Sequence, residues 1–190
     1  PVYSRNSDPA ALIVNDIRKD FPQGEQDSFE VLLDTFADRR NGFVFITNPA
    51  GAKSDTQIAN EGREVNQSWD AVWHVAAKQR ADGWTAEIRI PFKTLRFEPG
   101  DGTTWGVNFA RRIRRKNEVA YWSRVTRAYS IFRASQDGNL LGLPNVDQGR
   151  NLRIKPFVVA SSTRPAAGSS FDRDGDVGLD EIGSPPETKR

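Results

Sequence analysis

The chain has no cysteine, no methionine, one histidine, and no apolar run approaching the roughly 18 residues that a membrane-spanning helix needs. Without cysteine there are no disulfides, no thiolate metal sites and no cysteine nucleophile. His74 alone makes no zinc site unless carboxylates supply the remaining ligands. The absent methionine removes one common axial ligand of haem and leaves no initiator residue, so a processed chain or a fragment is expected. Charge of one sign is also scarce: the net charge is +2 over 190 residues, too little for a nucleic-acid-binding surface by itself. What remains is 37% hydrophobic residues with 11 Phe and 5 Trp, enough to fill a core and to exclude wholesale disorder.

Four of the 5 tryptophans fall between Trp69 and Phe109, and the pattern there repeats every two residues. Ala71, Trp73, Val75 and Ala77 share one parity. After the Asp82-Gly83 turn signal, Trp84, Ala86, Ile88, Ile90 and Phe92 form a second apolar row opposite Thr85, Glu87 and Arg89. Trp105, Val107 and Phe109 start a third. Side chains alternate faces along a strand, so this is antiparallel sheet with one buried face.

Elsewhere, turn signals flank Ala10 to Lys19, a helical turn or loop, and Phe29, Val31 and Leu33 alternate with polar neighbours. Phe43 to Thr47 is a short apolar run, and Asn48-Pro49-Ala50-Gly51 turns it into a polar strand near Lys53 to Ala59. Asn117-Glu118 turns the chain into Val119 to Trp122, while Gly138, Gly142 and Pro144 mark a loop closing the domain near residue 150. Leu152, Ile154 and Phe157 to Ala160 suggest one more strand before a Gly-, Pro- and Ser-rich stretch without periodicity. The expected architecture is all-β, an antiparallel β-sandwich of immunoglobulin or lectin type.

Three stretches, Glu25 to Asp34, Asp82 to Phe92 and Trp105 to Phe109, with Gly138-Asn139-Leu140, resemble the family 9 carbohydrate-binding modules, in particular the variant fronting bacterial outer-membrane β-barrel-like proteins. The resemblance covers roughly residues 1–150 and implies a non-catalytic module that lacks its first strands, with 151–190 the start of a following β-rich domain, largely unstructured alone. It implies no cofactor, a polysaccharide or oligosaccharide partner of xylan or cellulose type, a role in carbohydrate catabolism, and a place in the bacterial cell envelope or outside the cell. Carried over residue by residue, the site of sugar-binding members thins out. Gly24 stands where the first clamping tryptophan would be, Ile131 and Phe132 where the second would be, and Val44 where an arginine would be. Only the acidic residue is kept, at Glu30.

A sugar site needs flat aromatic faces with planar polar groups around them. Trp69, at the mouth of a strand beside Asp70, is the candidate exposed aromatic, and Glu30, Trp69 and Phe132 form the candidate carbohydrate-binding set. Core packing is expected for Trp73, Trp84 and Trp105, and of Tyr121 and Trp122 one should point outward. Two other functions stay open: a structural or interaction domain of an outer-membrane protein that has lost sugar binding, and part of a glycan hydrolase using carboxylates among Glu30, Asp34 and Glu87. Arg111, Arg112, Arg114, Arg115 and Lys116 divide between two faces and read as a solvated strand end, not a nucleic-acid stripe. Asp172, Asp174 and Asp176 imitate a calcium loop, but Val177 and Gly183 stand where the EF-hand glycine and glutamate belong. The sole histidine is expected on a solvated strand face.

Overall fold

The computed structural model describes residues 1–98, 100 and 103–143. The second-domain reading for 151–190 and the acidic loop at Asp172 to Asp176 lie outside the described residues. Among the described residues ten strands run in chain order: β1 Val2–Arg5, β2 Ser28–Asp34, β3 Gly42–Thr47, β4 Lys53–Ala59, β5 Glu64–Asn66, β6 His74–Arg80, β7 Gly83–Arg89, β8 Thr103–Ile113, β9 Glu118–Tyr121 and β10 Gly138–Leu143. They form two antiparallel sheets, a large one ordered β10-β8-β2-β3-β4-β5 with β9 also paired to β8, and a small one ordered β1-β7-β6. The fold is the all-β sandwich that the alternation implies.

The centre of the large sheet is apolar on both faces, which is why β3 reads as a continuous hydrophobic run and not an alternation. Val31, Leu33, Phe43, Phe45, Trp105 and Val107 point to the inner face, where Trp73, Val75 and Ile88 pack against them. Leu32, Val44, Ile46, Ile58 and Ala110 point to the outer face, where no third sheet lies among the described residues. Irregular chain covers them instead: Phe21 arrives from the segment before β2, and Ile131 and Ala134 from the segment before β10. In β7 the row of period two holds, with Trp84 at 1% and Ala86 at 2% exposure while Glu87 and Arg89 face solvent.

Four local expectations change. The strand expected from Ala71 begins at His74; Ala71 and Trp73 are nevertheless buried, because the Asp55 carboxylate accepts the Ala71 amide at 2.7 Å and the Trp73 indole N–H at 3.0 Å. Phe92 does not continue the β7 row. Pro91 supplies no ladder donor, the chain turns over Phe92–Thr94, and the Phe92 ring is 42% exposed, edge-on to Trp105 at 5.8 Å. The closing loop at Gly138 is instead β10, paired to β8 with a register shift between Leu140 and Leu143. Residues 2–5, which carry no strand signal, pair with β7 from Val2↔Ala86 to Arg5↔Gly83.

Candidate functional site

Strand register puts the outer-face residues in rows. Glu30 stands between Ala110 and Ile46, and beyond these lie Tyr121 and Ser54. Glu30 is 3% exposed. Its Oε1 lies 3.6 Å from Arg112 Nε and accepts the Ser28 hydroxyl at 3.2 Å. Burial pushes the Glu30 carboxyl up, against the pull of Arg112 and Ser28. This is a sealed ion pair built into the sheet, not a carboxylate offered to solvent.

Phe132 belongs to the same outer side. Half-buried, it packs on the Leu32–Ile58 cluster, while its neighbour Arg133 pairs with Glu61 at 2.6 Å and lies 4.4 Å from the Tyr129 ring. Trp69 sits on the opposite face of the sheet. Its ring meets Phe43 at 4.9 Å and Phe45 at 5.9 Å, so the aromatic surface expected to be open is used in inter-sheet packing. The backbone turn that closes from the Trp69 amide to the Asn66 carbonyl places it there. The fold thus brings Glu30 and Phe132 to one side and leaves Trp69 out. At the first clamp position Gly24 faces open space, at the second Ile131 is buried beside the half-buried Phe132, and Val44, at the arginine position, is fully buried. Of the outward pair, Trp122 is the one that emerges, at 61% exposure, while Tyr121 packs on the outer-face cluster.

The same outer side carries a cleft of about 280 Å³ between the Asp20–Gln23 stretch and the edge of β4, lined by Asp20, Gln23, Ser54, Thr56 and Gln67 with Phe21 and Pro22. Its wall is held by a network that sequence reasoning did not find. The Asn48 amide donates to the Asp16 carbonyl at 2.7 Å and to Gln26 Oε1 at 2.9 Å, while its oxygen accepts the Ala50 and Ala52 amides at 3.0 Å each. Asp27 accepts the Ile13 amide at 2.7 Å, and Asp20 N–H donates to the Lys53 carbonyl at 2.8 Å. Within the cleft the Gln23 amide donates to Ser54 Oγ at 3.3 Å, and Thr56 donates to the Asn66 carbonyl at 2.9 Å. Beside it the Lys19 ammonium faces Asp20, Asp70 and Asp55 at 2.9, 3.3 and 3.5 Å; burial works against its charge, yet these carboxylates hold it above the usual lysine range. Rigid walls with carboxylate, amide and hydroxyl groups suit a small polyhydroxylated ligand.

A second acidic feature lies at the far end of β2. Asp34 is fully buried and caps the following turn, accepting the Phe36 and Asp38 amides at 3.3 Å each and that of Arg39 at 2.8 Å. Asp137, 8% exposed, has neither carboxylate oxygen in a hydrogen bond; the neighbouring Asn108 amide is directed to the Ser123 carbonyl at 3.2 Å. Burial, then the charge of Asp34, pushes the Asp137 carboxyl up to about 8, with Arg39 acting the other way. Neither acid lines the cleft.

No family model matches the sequence, and no curated protein matches it. Among solved structures, the chain is similar to a protein of Bacteroides uniformis ATCC 8492 to which carbohydrate binding is ascribed, at a TM-score of 0.51 and 16% identity, covering 66% of this chain and 65% of that one. A family 9 carbohydrate-binding module of Caldicellulosiruptor kristjanssonii also aligns. In complex with glucose it gives a TM-score of 0.47 and 20% identity over 65% of this chain and 62% of that one. In complex with cellotriose it gives 0.47 and 20% over 73% and 68%. The chain thus spans about 65% of the length of the Bacteroides protein, and what the two share is the fold.

Proposed function

We propose that this chain is a non-catalytic carbohydrate-binding module whose ligand lies in the outer-face cleft. The observation carrying this reading is the cleft itself. At about 280 Å³ it is near the lower limit of small-ligand sites, its wall is fixed by the Asn48–Gln26–Asp16 network, and it offers Asp20, Gln23, Ser54 and Thr56 to a ring of hydroxyls. Phe132 adds a half-buried aromatic to the same side, and the Glu30–Arg112 pair stiffens the sheet beneath it. The ligands proposed are neutral xylan- or cellulose-type glycans, bound so that an attached or partner activity stays near its substrate. A bacterial cell envelope or extracellular location belongs to the same proposal.

The test is tryptophan fluorescence titrated with xylo- and cello-oligosaccharides, repeated on Gln23→Ala and Thr56→Val. Saturable change in the wild-type chain is the expected result, weakened about tenfold in both variants while each stays folded, Thr56→Val melting a few degrees lower for its lost bond to the Asn66 carbonyl. A folded chain indifferent to every sugar would transfer the assignment to the second reading, an interaction domain without sugar binding. That reading is favoured by one observation: the inherited positions Gly24 and Val44 supply neither ring nor cation, and Trp69 is engaged in packing.

A further inference from the structure

The inner face of β8 loses its cover along its length. Trp105 and Val107 are 2% and 5% exposed, whereas Phe109 and Arg111, next on the same face, are only half-buried. Phe29, the register partner of Arg111 on β2, stacks on Phe109 at 6.0 Å and 25°. Trp122 completes the row, edge-on to Phe109 at 5.8 Å, with 61% of its surface exposed. Its ring lies against Gly138, where a Cβ would collide with the six-membered ring, so β10 carries at that position the one residue able to seat it. At the other end of the row, the Nε of Arg111 is removed from solvent without an acceptor, and its guanidinium makes no hydrogen bond or ion pair with any described residue. Burial holds Arg111 below the usual arginine range while Asp27 and Glu118 offset part of that effect from a distance. Asp27 is itself committed to the Ile13 amide.

An open indole seated on backbone across the strands from Phe109, an aromatic floor and an unneutralised planar cation two residues along β8 are complementary to a sugar ring bearing a carboxylate. We infer that the Trp122–Phe109–Arg111 row is a second binding surface, on the opposite side of the large sheet from the cleft, for uronic-acid-bearing oligosaccharides. The pyranose face stacks on Trp122 and the carboxylate pairs with the outer nitrogens of Arg111, a charge-assisted contact that neutral glycans do not make. This inference extends the carbohydrate-binding reading but does not need the cleft to be occupied.

Calorimetric titration of the full chain with trigalacturonate and, separately, cellotriose tests it, at 20 mM and 300 mM salt. The acidic probe should bind, lose about tenfold in affinity at the higher salt, and lose at least tenfold in Arg111→Gln and in Trp122→Ala, while cellotriose binding is untouched by either change. Trp122→Phe is made beside Trp122→Ala and should retain part of the affinity, and melting curves of all variants establish that each is folded. Gln23→Ala should weaken cellotriose alone. Failure of trigalacturonate to bind, binding insensitive to salt and to Arg111→Gln, or loss of acidic binding in Gln23→Ala would each overturn the inference. Loss of cellotriose binding alone bears only on the cleft.

Discussion

Replacing Asp55 should unlock one edge of the sandwich. Its carboxylate is 1% exposed and serves two donors on the segment leading into β6, the Ala71 amide at 2.7 Å and the Trp73 indole at 3.0 Å. Both donors are themselves buried. In Asp55→Ala each would be left without an acceptor, at about 1–3 kcal/mol apiece. The Lys19 ammonium at 3.5 Å adds little, because it is partly solvated and has two other carboxylates. Relief of the buried charge returns part of the loss, so we expect a net destabilisation of about 3–4 kcal/mol. For a domain of this size that lowers the melting temperature by roughly 6–16 °C. Asp55→Asn keeps one acceptor and turns an amine toward the other donor, and should fall about midway. Urea unfolding followed by tryptophan emission reads both effects: the midpoint drops at constant slope, and native emission shifts to the red as Trp73 is released. A melting temperature for Asp55→Ala within 2 °C of the parent would refute the reasoning, because it would mean that packing alone holds residues 71–73.

Asp137 makes stability depend on pH in an unusual direction. With its carboxyl raised to about 8 in the folded state, its contribution is fully present below the unfolded value of 3.8 and is lost as pH climbs through 8. Asp137→Asn should therefore be near-neutral at pH 4 and stabilising by up to about 5 kcal/mol at pH 8, read from urea midpoints across that range; parallel pH profiles for the two proteins would sink the idea. Gly83→Ala should detach β1. Gly83 has φ +149°, and a Cβ there would strike the Ser4 carbonyl and crowd the Arg5 Cα, so we expect about 3 kcal/mol of destabilisation and faster amide exchange confined to residues 2–5 and their β7 partners. Uniform exchange across both sheets in that variant would contradict it.

The architecture was legible where one strong period governs burial. Trp84, Ala86 and Ile88 announce β7 because one face of that strand is dry and the other wet, and Phe43 to Thr47 announces β3 because both of its faces are dry. β1 and β10 left weaker marks for opposite reasons. β1 joins the sheet through backbone pairing with largely polar side chains, and β10 carries glycines at 138 and 142 that look like turn residues until Trp122 is seen to need the first. Parity could say that one of Tyr121 and Trp122 emerges, and Trp122 does. It could not say that Trp69 would be swung inward, because that depends on a turn closing at Asn66. Least legible was the cleft. Asn48 looked like one residue of a hairpin turn, and Glu25-Gln26-Asp27 like family text; their work is tertiary, joining a loop before β2 to the β3–β4 turn, and no spacing along the chain encodes it.

The order of strands in the large sheet has a temporal consequence. β2 pairs on one side with β3, a few residues on, but on the other with β8, from Ser28↔Arg112 to Asp34↔Gly106. A chain emerging from a ribosome at about 5–20 residues per second exposes the finished β2–β3 hairpin for roughly 3–13 s before its second neighbour arrives. During that interval one open strand edge and two apolar faces are without their partners, and non-local pairing of this kind also slows the final closure. The nascent chain therefore passes through a window in which contact with a chaperone, or with another copy of itself, competes with its own completion.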